Sequence, residues 1–208
     1  MGSTRTKDEP GFRWRGRIGA VVLVPVSLVT LFSRPLVLEG SALDSGLDVL
    51  AFGAFIVGAV FRFWSTLYVG GRKEKSLVDE GPYSACRNPL YMGSFLLAAS
   101  VGLFLKSVTF ALGLAAVTAF YIGVTVPTEE EHLRERYGED YENYCRRVPR
   151  YWPRFSMAHS PEEIAVSLKA LRREWKRAFF GWFWLPVAVE AISHLRSEAW
   201  WPHLFRLW

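Results

Sequence analysis

Cysteine is nearly absent from this chain: 208 residues contain only Cys86 and Cys145. Neither stands in a CxxC pair or near a histidine spacing that suits zinc, so no metal site and no disulfide framework are implied. His132, His159, His194 and His203 are scattered singly and read as solvated or interfacial side chains rather than as a catalytic pair. Charge is missing from long stretches, most completely from Val49 to Phe61. The start lacks the small-residue cleavage site of a signal peptide, so the first apolar run is expected to be a retained anchor.

Half of the residues are hydrophobic, yet the formal net charge is +5. Segregation reconciles the two: apolar residues gather in runs and charges gather between them, as in a chain that crosses a bilayer several times. The basic residues flank apolar runs instead of forming a groove-lining stripe, which excludes nucleic acid as the partner and leaves the lipid bilayer. The expected fold is all-α and polytopic, with spans at Ile18 to Phe32, Leu47 to Val69, Leu90 to Leu105 and Val108 to Val126. Lys106 and Ser107 make the third and fourth spans an antiparallel hairpin. Gly93, Gly102, Gly113 and Gly123 supply small surfaces for close helix approach.

Five cations precede the first span, and Arg72, Lys73, Lys75 and Arg87 lie between the second and third. Only Arg34 and Lys106 lie in the opposite loops, so both ends of the four-span core are expected in the cytosol. That places the protein in the inner membrane of a bacterium or the endoplasmic reticulum of a eukaryote. Residues 1–17 then form a basic cytosolic segment, 18–155 the membrane core and 156–208 a membrane-associated extension.

Two polar blocks share the cytosolic face. The first, Gly81 to Gly93, reads GPYSACRNPLYMG: Pro82 and Pro89 fix φ, and Gly81 and Gly93 permit angles or approaches that a side chain blocks. The second, TEEEHLRERYGEDYENYCRRVPRYWPRF, predicts a helix capped by Thr128, with acids behind the cap and Arg146 and Arg147 near its end. Leu133, Tyr137, Tyr141, Tyr144 and Val148 recur at helical spacing on one face, with Glu130 a turn earlier. A further helix is expected from Ser160, with Pro161 at its first position and Ile164, Leu168, Leu171 and Trp175 as its apolar stripe. Six of the nine tryptophans fall between Trp175 and Trp208. The aromatic stretch after Ala178 reads as an interfacial anchor, either a fifth short span or a helix embedded in one leaflet; embedding is the preferred alternative, because spanning would put Glu190 and His194 inside the bilayer.

The first block resembles the motif of isoprenylcysteine carboxyl methyltransferases and their bacterial relatives: Gly-x-Tyr, then Arg-His/Asn-Pro, x-Tyr and x-Gly at the start of a span. The second resembles that family's paired acids, aromatic-Gly, Tyr-x-x-Tyr and Val-Pro. Together they cover about Leu47 to Phe155. The resemblance implies a membrane enzyme that binds S-adenosylmethionine and methylates a lipid-borne nucleophile, preferentially the carboxylate of a prenylcysteine-like substrate.

It also implies that Tyr83, Arg87, Asn88, Pro89, Tyr91, Gly93, Glu129, Glu130, Tyr141, Tyr144 and Pro149 hold the cofactor. By charge matching Arg87 takes its carboxylate, Glu129 or Glu130 its ammonium, and tyrosines its adenine or sulfonium. Arg62, Arg147 and Arg150 are candidates to orient the acceptor. An Arg that some relatives carry about one turn before the acids is replaced here by Val124, Thr125 and Val126, which bears on the acceptor. Phospholipid amine methylation and a nicotinamide-dependent sterol-type reduction are the alternative activities.

Overall fold

Uninterrupted apolar sequence in a membrane leaves backbone polar groups no partner but each other, and here it folds into helices throughout. The computed structural model describes residues 10–70, 72 and 76–205, with side chains from Arg17 onward. Arg5, Lys7, Gly71, Lys73, Lys75 and Trp208 lie outside the described residues, as do the side chains of Arg13, Trp14 and Arg15. The helices are α1 (Pro10–Leu31), α2 (Ala42–Val69), a single turn α3 (Pro82–Ala85), α4 (Pro89–Leu105), α5 (Val108–Phe120), α6 (Val126–Tyr137), α7 (Glu139–Arg147), α8 (Leu168–Phe180) and α9 (Leu185–Ser197). Among the described residues the only β pairing is an isolated bridge between Ser33 and Phe205.

This is a membrane protein. Three helical runs, Ala42–Val69, Val108–Tyr137 and Leu168–Ser197, are long and apolar enough to cross a bilayer; Arg17–Leu31 and Pro89–Leu105 are shorter apolar helices. At about 1.5 Å per residue, the 28 residues of α2 reach about 42 Å, beyond the ~30 Å of hydrocarbon. The chain divides into two compact units, one of Met1–Ala54, Ala98–His132 and Leu185–Trp208, the other of Phe55–Leu97 and Leu133–Trp184.

In the first unit, Ala51, Phe104, Leu105, Phe110 and Val189 form a buried cluster, with Val26, Val101 and Leu114 against it. The predicted reversal between α4 and α5 is present. Lys106 takes a left-handed φ of 49°, rare outside glycine, and Ser107 caps α5 by accepting from the Phe110 amide. The buried Lys106 ammonium is held by Asp44 and Asp48, the latter at 2.7 Å. Burial works against its charge, but the two carboxylates outweigh that and keep the group protonated above the usual lysine range. Arg196, 1% exposed, donates to the carbonyls of Ser33 and Leu105, satisfying the ends of two helices.

Several expected boundaries move. The second helix begins at Ala42 rather than Leu47, because Ser41 accepts from the Asp44 amide and starts it a turn early. Thr128 is not a cap: the helix runs through it, and its hydroxyl donates to the Val124 carbonyl. The run survives Pro127, which lacks an N–H, by widening into a π turn over Tyr121–Thr125 just before it.

Ser160 does not start a helix either. Its hydroxyl accepts from Tyr68 instead, residues 160–167 stay irregular, and α8 begins at Leu168 with Ser167 accepting from the Ala170 amide. Of the two alternatives for the aromatic stretch, the run Leu168–Ser197 has the length and apolar character that the fifth span needs. His194, one of the two residues that argued against spanning, is bonded to Glu39.

Candidate functional site

All of the site geometry described here lies within the second unit. Glu80 to Tyr83 make a tight turn in which the Tyr83 amide donates to the Glu80 carbonyl at 3.1 Å. Gly81 takes φ 58° and ψ −128°, and Pro82 follows as the first residue of α3. That pair of angles is a glycine position of a hairpin-type turn. A Cβ on Gly81 would also lie 2.4 Å from Cζ of Tyr68, so conformation and space both demand glycine.

Backbone bonds join the first sequence block to the end of the second. The Arg87 amide donates to the Pro149 carbonyl at 2.8 Å, the Arg154 amide to Ala85 at 2.9 Å, and the Gly81 amide to His159 at 2.7 Å. Side chains add to this: the Tyr144 hydroxyl donates to the Tyr83 carbonyl at 2.7 Å, and Asn88 Nδ2 to the Arg150 carbonyl at 3.3 Å. The helical face predicted from Leu133 to Val148 is broken at Gly138, whose φ is 53°. Its members nevertheless gather: Tyr141, Tyr144 and Val148 are buried together, with Leu133, Tyr137 and Leu77 packed on them. The Tyr141 and Tyr144 rings lie 5.9 Å apart, and the Arg134 guanidinium sits 6.0 Å from the Tyr141 ring.

Pro89 is fully buried at the start of α4, and the Tyr91 ring lies tilted against Phe95 at 6.1 Å. Gly93 lies where α4 crosses α2: a Cβ there would be 2.8 Å from the Gly58 carbonyl and from Cγ of Arg62. Arg62 donates to Glu174 at 2.6 Å and to Ser94 at 2.6 Å, a largely buried ion pair. Arg147 reaches Asp79 at 3.4 Å on the surface, and Arg150 is exposed. The structure thus brings Tyr83, Arg87, Asn88, Tyr144, Pro149 and Arg150 together through direct bonds. Glu129 and Glu130 lie on the part of α6 that belongs to the first unit, and Glu130 is 2% exposed.

The phospholipid methyltransferase family model matches residues 46–140. Isoprenylcysteine O-methyltransferase B of Arabidopsis thaliana is 28% identical over 94 residues, covering 45% of this chain and 48% of that protein. The methanethiol S-methyltransferase of Crocosphaera subtropica is 42% identical over 71 residues, 34% of this chain and 27% of that one. The chain belongs to the isoprenylcysteine methyltransferase-like family of membrane methyltransferases. Across nearly its whole length this family member is also similar to the nickel-cobalt-cadmium resistance protein NccN of Alcaligenes xylosoxydans xylosoxydans, at 31% identity over 92% of this chain and 89% of that protein. No solved structure matches it.

The local electrostatics of this methyltransferase-family motif rule out one nucleophile. Burial raises the Cys86 thiol to about 11, against a smaller opposing bond from the Asn88 amide, so at neutral pH it is a thiol and not a thiolate. Burial, and then Tyr141, raise Tyr144 as well, so its hydroxyl keeps the proton it donates to Tyr83.

Sequence reasoning missed Tyr68, Ser94, His159 and Glu174, which hold the motif and its neighbouring arginine. The one available signal was that Glu174 is the single acid of α8 and sits on the same face as Ala170 and Ala178.

Proposed function

We propose that the protein is an S-adenosylmethionine-dependent methyltransferase acting at the membrane on an apolar acceptor with an anionic nucleophile. The observation that carries this reading is the direct bonding of the Gly81–Gly93 loop to the Tyr144–Arg154 segment, which brings a cation, an amide and buried tyrosines into one neighbourhood.

Such a set suits the cofactor chemically: Arg87 matches its carboxylate, and Tyr83, Tyr91, Tyr141 and Tyr144 offer aromatic faces for adenine or sulfonium. The ammonium is assigned, from the sequence block alone, to Glu129 or Glu130. When bound, the cofactor supplies an electrophilic methyl group. This chain's part is to bind, to exclude water and to align; a carboxylate acceptor is already anionic and needs no strong base, whereas a thiol acceptor first gives up its proton. No His–carboxylate pair is therefore required for the carboxylate.

The carboxylate of a prenylcysteine-like substrate is the preferred acceptor, with Arg62, Arg147 or Arg150 orienting it. The likeness to a methanethiol methyltransferase favours a thiolate as the second choice. Likeness to NccN suggests that the physiological setting is resistance to divalent metals. The Lys and Arg distribution supports a cytosolic site.

The test is calorimetric titration of the detergent-purified protein with S-adenosylmethionine, its demethylated product and a reduced nicotinamide. Binding of the first two alone is expected. Arg87→Ala is expected to weaken both by roughly tenfold to a hundredfold, as for loss of one charged hydrogen bond. Nicotinamide binding, or no binding of either methyl-cycle ligand, would overturn the reading.

A further inference from the structure

Helix α8 carries an arrangement that the proposed chemistry does not use. Lys169, Arg172, Arg173, Lys176 and Arg177 recur three and four residues apart, so all five share one face, and Phe180 continues it. All five are exposed, and with Phe180 they make one open surface on this helix.

The other faces are sharply different. Ala170, Glu174 and Ala178, four apart, are buried, and Glu174, the one acid in the helix, is turned inward to Arg62. Only Arg177 among the five comes within reach of it, at 3.8 Å. Leu168, Trp175 and Phe179 form a third, exposed apolar stripe beside the cations. The helix is therefore anchored on one side, greasy on the second and cationic on the third. In sequence the cations stand directly before the most apolar part of the Leu168–Ser197 run.

A cationic face next to an aromatic face, within a run long and apolar enough to cross a bilayer, suits positive charge at phosphate depth with the aromatic rings in the acyl boundary. Repulsion among five like charges on one helical face is relieved by anions, and the one acid of α8 reaches Arg177 alone. From this charge complementarity we infer that the α8 stripe is a binding site for anionic phospholipid headgroups. The inference is independent of the methyl-transfer reading. The occupant is a bilayer lipid rather than a soluble phosphate, because the apolar stripe of Leu168, Trp175 and Phe179 lies alongside and a free anion makes no use of it.

The experiment measures lipid retention by native mass spectrometry on the full-length protein in detergent, titrated with phosphatidylglycerol or with phosphatidylcholine. Phosphatidylglycerol is expected to bind more tightly. The variant Lys169→Gln/Arg172→Gln/Arg173→Gln/Lys176→Gln is expected to lose that preference, with single variants losing about fivefold each. Equal retention of the two lipids by the wild-type protein overturns the inference, as does an unchanged preference in the variant.

Competition by millimolar glycerol phosphate at equal affinity also overturns it, by making the headgroup alone the ligand. Should the fourfold variant not accumulate, the wild-type preference at low and high salt decides the matter. Loss of preference at high salt supports the site, and a salt-independent preference refutes it.

Discussion

Gly81→Ala gives the sharpest test of how the motif loop is held, because a second glycine supplies an internal control. Gly81 and Gly138 adopt nearly the same backbone, φ 58° and ψ −128° against φ 53° and ψ −124°. Each precedes a short helix. An alanine at either position incurs the same conformational penalty, about 1–3 kcal/mol. Their surroundings differ. A Cβ at Gly138 meets nothing within 4 Å, whereas one at Gly81 lies 2.4–2.6 Å from three ring atoms of Tyr68.

That ring has little freedom to retreat, since Tyr68 is 6% exposed and its hydroxyl is bonded to Ser160 at 2.8 Å. Overpacking of this kind adds about 1–3 kcal/mol. Gly81→Ala is therefore expected to be more destabilising than Gly138→Ala by about 1–3 kcal/mol, or roughly 2–12 °C in melting temperature for a chain of this size. Scanning fluorimetry in detergent measures both. Tyr68→Leu should recover part of the excess in the double variant, a coupling that an unrelated site would not show. Equal losses for the two glycines, or strict additivity with Tyr68→Leu, would refute the reasoning.

Removal of Glu174 by alanine leaves the Arg62 guanidinium largely buried with its charge uncompensated, and about 3–5 kcal/mol of stability is expected to go with it; a loss below 1 kcal/mol in a denaturant titration contradicts this. Tyr144→Phe leaves the Tyr83 carbonyl without its 2.7 Å donor and is expected to cost about 1–3 kcal/mol, and a melting temperature equal to wild type would show that the bond is idle. Alkylation by iodoacetamide in a Cys145→Ser background should leave Cys86 intact at pH 7.5 and proceed only as pH approaches its raised value of about 11. Rapid labelling at neutral pH would place that thiol in a different environment.

The helices themselves were legible because membrane insertion demands a simple signal, a long apolar run with charges at its ends. Their limits were less legible, and the reason is local competition for polar groups. Ser160 followed by a proline and two acids reads as a cap, yet its hydroxyl serves Tyr68, 92 residues away in sequence. Thr128 followed by three acids reads as a cap as well, but the helix behind it never ended, because a π turn let it continue past Pro127. In both cases the local pattern is sound and a partner distant in sequence, or a change of helical pitch, decides otherwise. The break at Gly138 is the converse case: periodicity predicted one continuous face, and the face assembles even though the helix does not continue.

The two arginines near the motif show where sequence reading stops. Arg62 and Arg87 both stand out as cations beside apolar sequence, and from spacing alone either is a ligand for an anion. In the folded chain Arg62 already has one, since the Glu174 carboxylate and the Ser94 hydroxyl both accept from it. An acceptor carboxylate recruited by Arg62 would have to share or displace Glu174, giving up a buried ion pair that grips α8 to α2. Arg87 differs in kind: the loop is docked through its main-chain amide on Pro149, a bond that any residue but proline makes equally well. That bond leaves the choice of side chain at position 87 open, and an arginine there matches the carboxylate of the proposed cofactor. Arg87→Ala keeps that backbone bond, and its ligand titration is read beside its melting temperature, whereas a change at Arg62 gives up a buried ion pair outright.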